Sequence, residues 1–214
     1  MQGTIFFLFS VGQIACSPEI VQMPIPFDEE RITLSLEYLQ ERYGIEKESP
    51  KIDPVMVVVH WTAINSLQDS YHAFEGTRLP GFREAIRGAS PLNVSAHFLI
   101  DREGTIYRLM PDTLFARHVI GLNHCAIGIE NIGSDENPLT DKQMKSNLFL
   151  IRQLHRTYDI QYVIGHHEYT SFKGHPLWKE VDPDYITIKT DPGDEFMKRL
   201  RKKLSSLNIK GPPE

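Results

Sequence analysis

The stretch PVMVVVHWTA, Pro54 to Ala63, decides how the rest of the chain is read. Its run VMVVVH is β-branched without polar alternation, the pattern of a strand buried on both faces of an α/β sheet. The run ends on His60, where a buried strand passes into a loop, the usual place for site residues in α/β sheets. A later short strand, YVIGHHE, repeats the arrangement and puts His166 in the matching position.

Outward from that strand the periodicity changes to helical. Upstream, in DEERITLSLEYLQERYG, Ile32, Leu36, Leu39 and Tyr43 recur at helical spacing, with Asp28 as start cap and Gly44 as terminator. The proline-rich SPEIVQMPIPF before it reads as a linker. Downstream, Asn65 with Gln68 forms a capping box ahead of Leu67, Tyr71 and Phe74. EGTRLPGFREAIRGASPLN carries too many Gly and Pro for one regular element. VSAHFLI and TIYRLM flank the turn cluster DREG as a β-hairpin. In the strand AIGIENIG, Ile127 and Ile129 share one face while Gly128 and Glu130 share the other. Thr140 with Gln143 opens a long helix that buries Met144, Leu148, Ile151 and Leu154, and Pro192 starts a last helix. The expected fold is α/β: a mixed central β-sheet with helices packed against it, in one domain over residues 50–206. Residues 17–49 supply the linker and first helix, and 207–214 a tail.

The chain has 214 residues, a formal charge of -5 and 41% hydrophobic residues, values of one globular domain able to bury a core. That mild acidity excludes nucleic acid as the main partner, because phosphate binding needs a concentrated basic face. The run KRLRKK reads as a solvated helix end. TIFFLFSVGQIAC is too short to span a bilayer but has the length of a signal-peptide core. It ends in Ile14-Ala15-Cys16, resembling a lipoprotein cleavage box, although Gln13 stands where an aliphatic residue is usual and no Lys or Arg precedes Arg31. The expectation is a signal segment over 1–16, export, and a periplasmic or outer-membrane lipoprotein anchored at Cys16; a cytoplasmic protein is the alternative. With Cys16 removed or lipidated, Cys125 is left alone, either a small packed residue or a free thiol, and no intrachain disulfide forms.

His60 or His166 alone would be a partly buried structural histidine, and Asp191 alone a turn residue. Together, two neutral imidazoles and one carboxylate make a catalytic zinc set that keeps a fourth position open. Asp191 lies in IKTDPG, and Pro192 behind it biases it towards extended backbone, so Lys189 faces the same side. Glu130, at the end of its strand, is either an exposed carboxylate or, beside a metal-polarised water, a general base.

The motifs VVVHWTA, VSAHFLIDREGTIYRLMP, ARHVIG, IGIENIG, GHHE and KTDPG, in this order, resemble the zinc-dependent N-acetylmuramoyl-L-alanine amidases of the second type. That family includes phage amidases and peptidoglycan-recognition proteins, and the likeness runs from Pro54 to Leu204. The resemblance implies zinc at His60, His166 and Asp191, a catalytic carboxylate at Glu130, and a charge-stabilising Lys189. It places His118 near the substrate. Asp at the third ligand position looks like the bacterial branch. Ala96 stands where phage members carry a Tyr, and Arg117 where an aromatic is frequent. The implied substrate is peptidoglycan or its muropeptides, and the implied enzyme is an N-acetylmuramoyl-L-alanine amidase; a monomer is expected. A non-catalytic peptidoglycan-binding protein and a cytoplasmic enzyme recycling anhydro-muropeptides are the rivals. His97 is read as structural, His167 as facing away from the metal, and His72, His124, His155 and His175 are given no role.

Overall fold

The computed structural model describes residues 18–81, 86 and 88–213. The apolar run and Cys16 lie outside these residues. Among them, no helix is long and apolar enough to cross a membrane.

Six strands form one mixed sheet: β1 (Ile20–Gln22), β2 (Met56–Trp61), β3 (Phe98–Ile100), β4 (Ile106–Arg108), β5 (Ala126–Asn131) and β6 (Tyr162–Gly165). Their order is β1-β4-β3-β5-β2-β6, parallel throughout except for the β3–β4 hairpin. Asp101 makes the hairpin turn, its Oδ1 accepting the N–H groups of Glu103 and Thr105 at 3.0 and 2.9 Å. Strand β1 corrects the linker reading: Ile20–Gln22 pairs with Ile106–Arg108 as an edge strand. Three residues set between prolines and polar groups carry too little pattern to announce themselves.

Period-two alternation sorts the sheet into two faces. Val57, Val59, Ile127, Ile129 and Val163 point to one side. There they meet α3 (Asp141–Thr157), through Met144, Leu148, Ile151 and Leu154, and α4 (Asp194–Lys203), through Phe196, Met197 and Leu200. Each such fully buried side chain contributes about 1.5–3 kcal/mol over exposure. Met56, Val58 and Ile164 point to the other side, as do the positions that end in His60 and Glu130. The site therefore lies on the face away from α3 and α4, at the carboxyl ends of β5, β2 and β6.

Helix α1 (Glu29–Tyr43) begins at Asp28, whose Oδ1 accepts Arg31 N–H at 2.8 Å, and ends at Gly44, where φ is 63°. Its inner face is rotated from the one expected. Arg31, Leu34, Ser35, Tyr38, Leu39 and Tyr43 are buried, while Ile32 and Leu36 are half-buried. Arg31 turns inward because its Nη2 donates to the carbonyls of Phe74, Glu75 and Gly76 at 2.8–3.2 Å, at the end of α2 (Leu67–Glu75). Two helix starts also move. The cap of α2 is Ser66, accepting Asp69 N–H at 3.0 Å, rather than Asn65 with Gln68. Helix α4 begins after Gly193, so Pro192 precedes it rather than forming its first turn.

Candidate metal centre

Strand order brings the functional ends together. In register, His60 pairs with Glu130 across β2–β5, and Val59 with Gly165 across β2–β6, so Glu130, His60 and His166 stand side by side. Neighbouring strands are about 4.8 Å apart, close enough for these side chains to share one site. The strand end carrying His60 is braced from behind: Asn131 Nδ2 donates to His60 O at 3.0 Å, and Asn147 Nδ2 to Asn131 Oδ1 at 2.7 Å.

After β6 the chain does not continue as the expected extended strand and loop. It winds into a 3-10 helix over His166–Phe172. Glu168 Oε2 accepts Gly165 N–H at 2.8 Å, and Arg201 from α4 grips both oxygens of Glu168 at 2.7 and 2.8 Å. This turn directs His166 into the site and His167 away from it. His167 N and Nδ1 both reach the carbonyl of Asp191 at 2.9 Å, holding the Asp191 segment against β6. The Asp191–Pro192 peptide is cis.

Beyond Pro183 the chain alternates in the way IKTDPG suggests. Tyr185, Thr187, Lys189 and Asp191 line the cleft, while Ile186 and Ile188 are 46% and 98% exposed. Tyr169 pins the segment, its hydroxyl donating to Thr187 O and accepting Thr187 N–H, both at 2.8 Å.

His60 Nδ1, His166 Nδ1 and Asp191 Oδ2 converge. Nδ1 to Nδ1 is 3.0 Å, and Asp191 Oδ2 lies 3.3 Å from His60 and 3.1 Å from His166. All three residues are buried. Donors on a tetrahedral zinc, with bonds of about 2.0–2.1 Å, stand roughly 3.3 Å from one another. Hydrogen-bond roles agree with a cation there. The carbonyl of Ala126 can only accept, so His118 Nε2, 3.2 Å away, carries the proton and His118 Nδ1 accepts. Its donor is His60 Nε2 at 3.0 Å, which leaves a bare lone pair on His60 Nδ1 aimed towards a carboxylate oxygen. Two such electron-rich atoms need a positive partner between them, which a metal cation supplies or, without one, a proton on His166 Nδ1 at 3.0–3.1 Å from both. The residues fit zinc.

Electrostatics point the same way. Burial lowers His166 to about 4 against the raising influence of Asp191, which keeps the imidazole neutral and able to donate a lone pair. Burial acts against the Asp191 charge, but His166 and His60 outweigh it and hold the carboxyl below its ordinary range. Burial, with His60 and His97 nearby, pushes His118 well down.

The cleft around these groups has a volume of about 250 Å3 and is also lined by Glu130, Lys189, His118 and Arg117. Every residue predicted from the sequence for metal or catalysis therefore lies in one place; Cys16 is outside the described residues. His118 does line the cleft, but protein partners take both ring nitrogens, so it braces His60 rather than offering a hydrogen bond to a ligand. Gly128 makes room for it: a Cβ there would stand 2.8 Å from the His118 ring. His97 is structural, its Nδ1 accepting Gly128 N–H at 3.0 Å and its Nε2 donating to Leu114 O at 2.9 Å. His72, His124, His155 and His175 do not line the cleft. Sequence reasoning missed Tyr38, Ser95, Asn123, Tyr185 and Thr187, which border the cleft from irregular segments or from the inner face of α1.

Residues 50–194 match the family described as N-acetylmuramoyl-L-alanine amidase. No curated protein matches the chain. Among solved structures, the N-acetylmuramoyl-L-alanine amidase LysC from Clostridium intestinale URNW is similar, with TM-score 0.55 and 22% identity over 91% of this chain and 100% of that one. An AmpD derivative gives TM-score 0.52 and 24% identity, covering 92% of this chain and 98% of that one. Bumblebee PGRP-SA gives TM-score 0.51 and 19% identity, covering 92% and 99%. At these identities the likeness concerns the fold.

Proposed function

The chain belongs to the N-acetylmuramoyl-L-alanine amidase family, and we propose that it hydrolyses the amide between the lactyl group of N-acetylmuramic acid and L-alanine. It is a zinc amidohydrolase of peptidoglycan, with zinc as its cofactor. The observation that carries the catalytic reading is the convergence of His60 Nδ1, His166 Nδ1 and Asp191 Oδ2 at the strand edge that also bears Glu130.

Zinc in this position supplies Lewis-acid polarisation of a carbonyl and lowers the pKa of water. The chain supplies the rest. Glu130, in register with His60, takes the proton of the attacking water and returns it to the departing alanine nitrogen. Lys189, on the cleft-lining side of the segment that ends in Asp191, offsets negative charge growing on the carbonyl oxygen. By accepting from His60 Nε2, His118 would leave the Nδ1 lone pair of His60 free to hold the zinc. One amide and one water become a lactyl carboxylate and a free amine.

Mass analysis of the products from purified peptidoglycan tests this reading. Peptides with a free L-alanine amine and glycan carrying free lactyl carboxylates are expected. Cleavage at glycosidic or peptide–peptide bonds, or binding without cleavage, contradicts it.

The apolar run ending in Ile14-Ala15-Cys16 supports export, with Cys16 as the lipid anchor. Expressed in its native host, the protein should partition with membranes, and Cys16→Ser should release it. A soluble chain retaining Met1 would favour cytoplasmic recycling.

A further inference from the structure

Arg117 adjoins the His60 brace in sequence, yet it faces a different part of the cleft. Its side chain is buried, at 3% residue exposure. Nη1 donates to Ser90 O at 3.1 Å and to Leu92 O, and Nη2 donates to Ile86 O at 2.7 Å and to Tyr185 Oη at 3.1 Å. The guanidinium carbon lies 5.2 Å from the Tyr38 ring centroid. Its backbone is clamped too: Arg117 N–H donates to Ser95 Oγ at 3.2 Å, and Ser95 N–H to Arg117 O at 3.0 Å.

These partners come from three separately connected pieces of chain. The carbonyls belong to Ile86, Ser90 and Leu92, which precede β3 in the chain. Tyr185 begins the alternating segment that carries Thr187, Lys189 and Asp191. Tyr38 is on α1, which lies outside the family match at residues 50–194. Arg42, also on α1, holds Tyr185 from another side, with its guanidinium carbon 4.6 Å from the ring centroid and Nη2 paired to Glu180 at 2.6 Å. Tyr38, Ile86, Ser95, Arg117 and Tyr185 all line the cleft that contains the metal ligands.

Backbone carbonyls that turn inward need donors, and a planar fork meets several of them at fixed angles. Arg117 spends both terminal nitrogens on protein oxygens, so its work is to hold shape. We propose that Arg117 is a positioning residue for substrate: it ties α1, the stretch ahead of β3 and the Tyr185 segment into one wall that receives the non-reacting part of the muropeptide. This rests on the amidase reading above. A wall that binds ground state and transition state alike sets KM and leaves kcat alone.

Steady-state kinetics on a soluble muropeptide, with zinc content measured on the same samples, test the assignment. Arg117→Ala should raise KM by about 10-fold or more, with kcat within about 3-fold and zinc unchanged. Arg117→Lys offers one point donor in place of the fork and should fall between Arg117→Ala and the natural protein. Tyr185→Phe removes a single bond while keeping the ring, and should raise KM by about 2–5-fold. Unchanged KM in folded Arg117→Lys and Tyr185→Phe overturns the proposal, whether or not Arg117→Ala folds. A fall in kcat that follows zinc loss at constant KM also overturns it, because Arg117 would then act on the metal through His118. Should the natural protein show no hydrolysis, calorimetric binding of the same muropeptide decides separately: weaker binding by Arg117→Lys supports the wall, and equal binding rejects it.

Discussion

The cleft has two corners built on opposite plans. At the metal corner, His60 and His166 leave regular parallel strands, and Asp191 is held by its carbonyl so that its carboxylate is directed inward. Its key atoms, His60 Nδ1, His166 Nδ1 and Asp191 Oδ2, are turned towards one another at 3.0–3.3 Å. At the Arg117 corner a cation joins separate pieces of the chain, and its contacts go to carbonyls, a phenol and an aromatic ring. One corner keeps polar atoms available and serves chemistry. The other consumes them internally and serves shape.

That contrast predicts where variants act. Glu130→Gln keeps size but removes the base, and should cut kcat by about 100-fold or more while zinc content stays level. Kinetics with metal analysis check it, and turnover within a few-fold of the natural protein would remove Glu130 from the reaction. Lys189→Met keeps the stem and removes the charge. It should cost roughly 100-fold in kcat with little change in KM, the scale of one oxyanion donor. If KM rises instead, Lys189 belongs with the shape-setting corner.

Smaller effects should appear behind the metal corner. Gly128→Ala drives a Cβ to 2.8 Å from His118, a ring whose two nitrogens are already engaged. It should destabilise the fold by about 1–3 kcal/mol, the range for overpacking, and weaken zinc retention against a chelator. Denaturation and chelator titration read both, and an unperturbed zinc affinity would separate the brace from metal binding. His97, which supports Gly128, is lowered by burial from 6.5 to about 4. Between these values the unfolded chain binds the extra proton, so this stability is complete above 6.5 and is lost as pH falls towards 4. Denaturation midpoints at several pH values should show that slope, reduced in His97→Gln. An identical slope in both proteins would assign the acid sensitivity elsewhere.

The sheet's interior strands and the inner face of α3 were readable because burial imposes a period. Val57 and Val59, or Met144, Leu148, Ile151 and Leu154, repeat as their elements repeat. The metal corner was readable because chemistry demands particular residue types at strand ends. Strand β1 was not, because three edge residues among prolines leave almost no period. The inner face of α1 was misread because Arg31 is buried by the carbonyls at the end of α2, a tertiary demand that hydrophobic spacing does not record. Tyr38 and Tyr185 joined the cleft for a similar reason. Their place depends on Arg117 and Arg42, which bring distant segments together without leaving a local pattern.

Zinc content and turnover, measured together on the natural protein and on His60→Ala, test the central claim most directly. The natural protein should hold about one zinc per chain, as expected for a three-ligand catalytic site, and should release peptides with free L-alanine amines. His60→Ala should fold, retain only a small fraction of that zinc and lose hydrolysis with it. Equal zinc in the two proteins, or unchanged hydrolysis by the natural protein after complete removal of metal, would contradict the account.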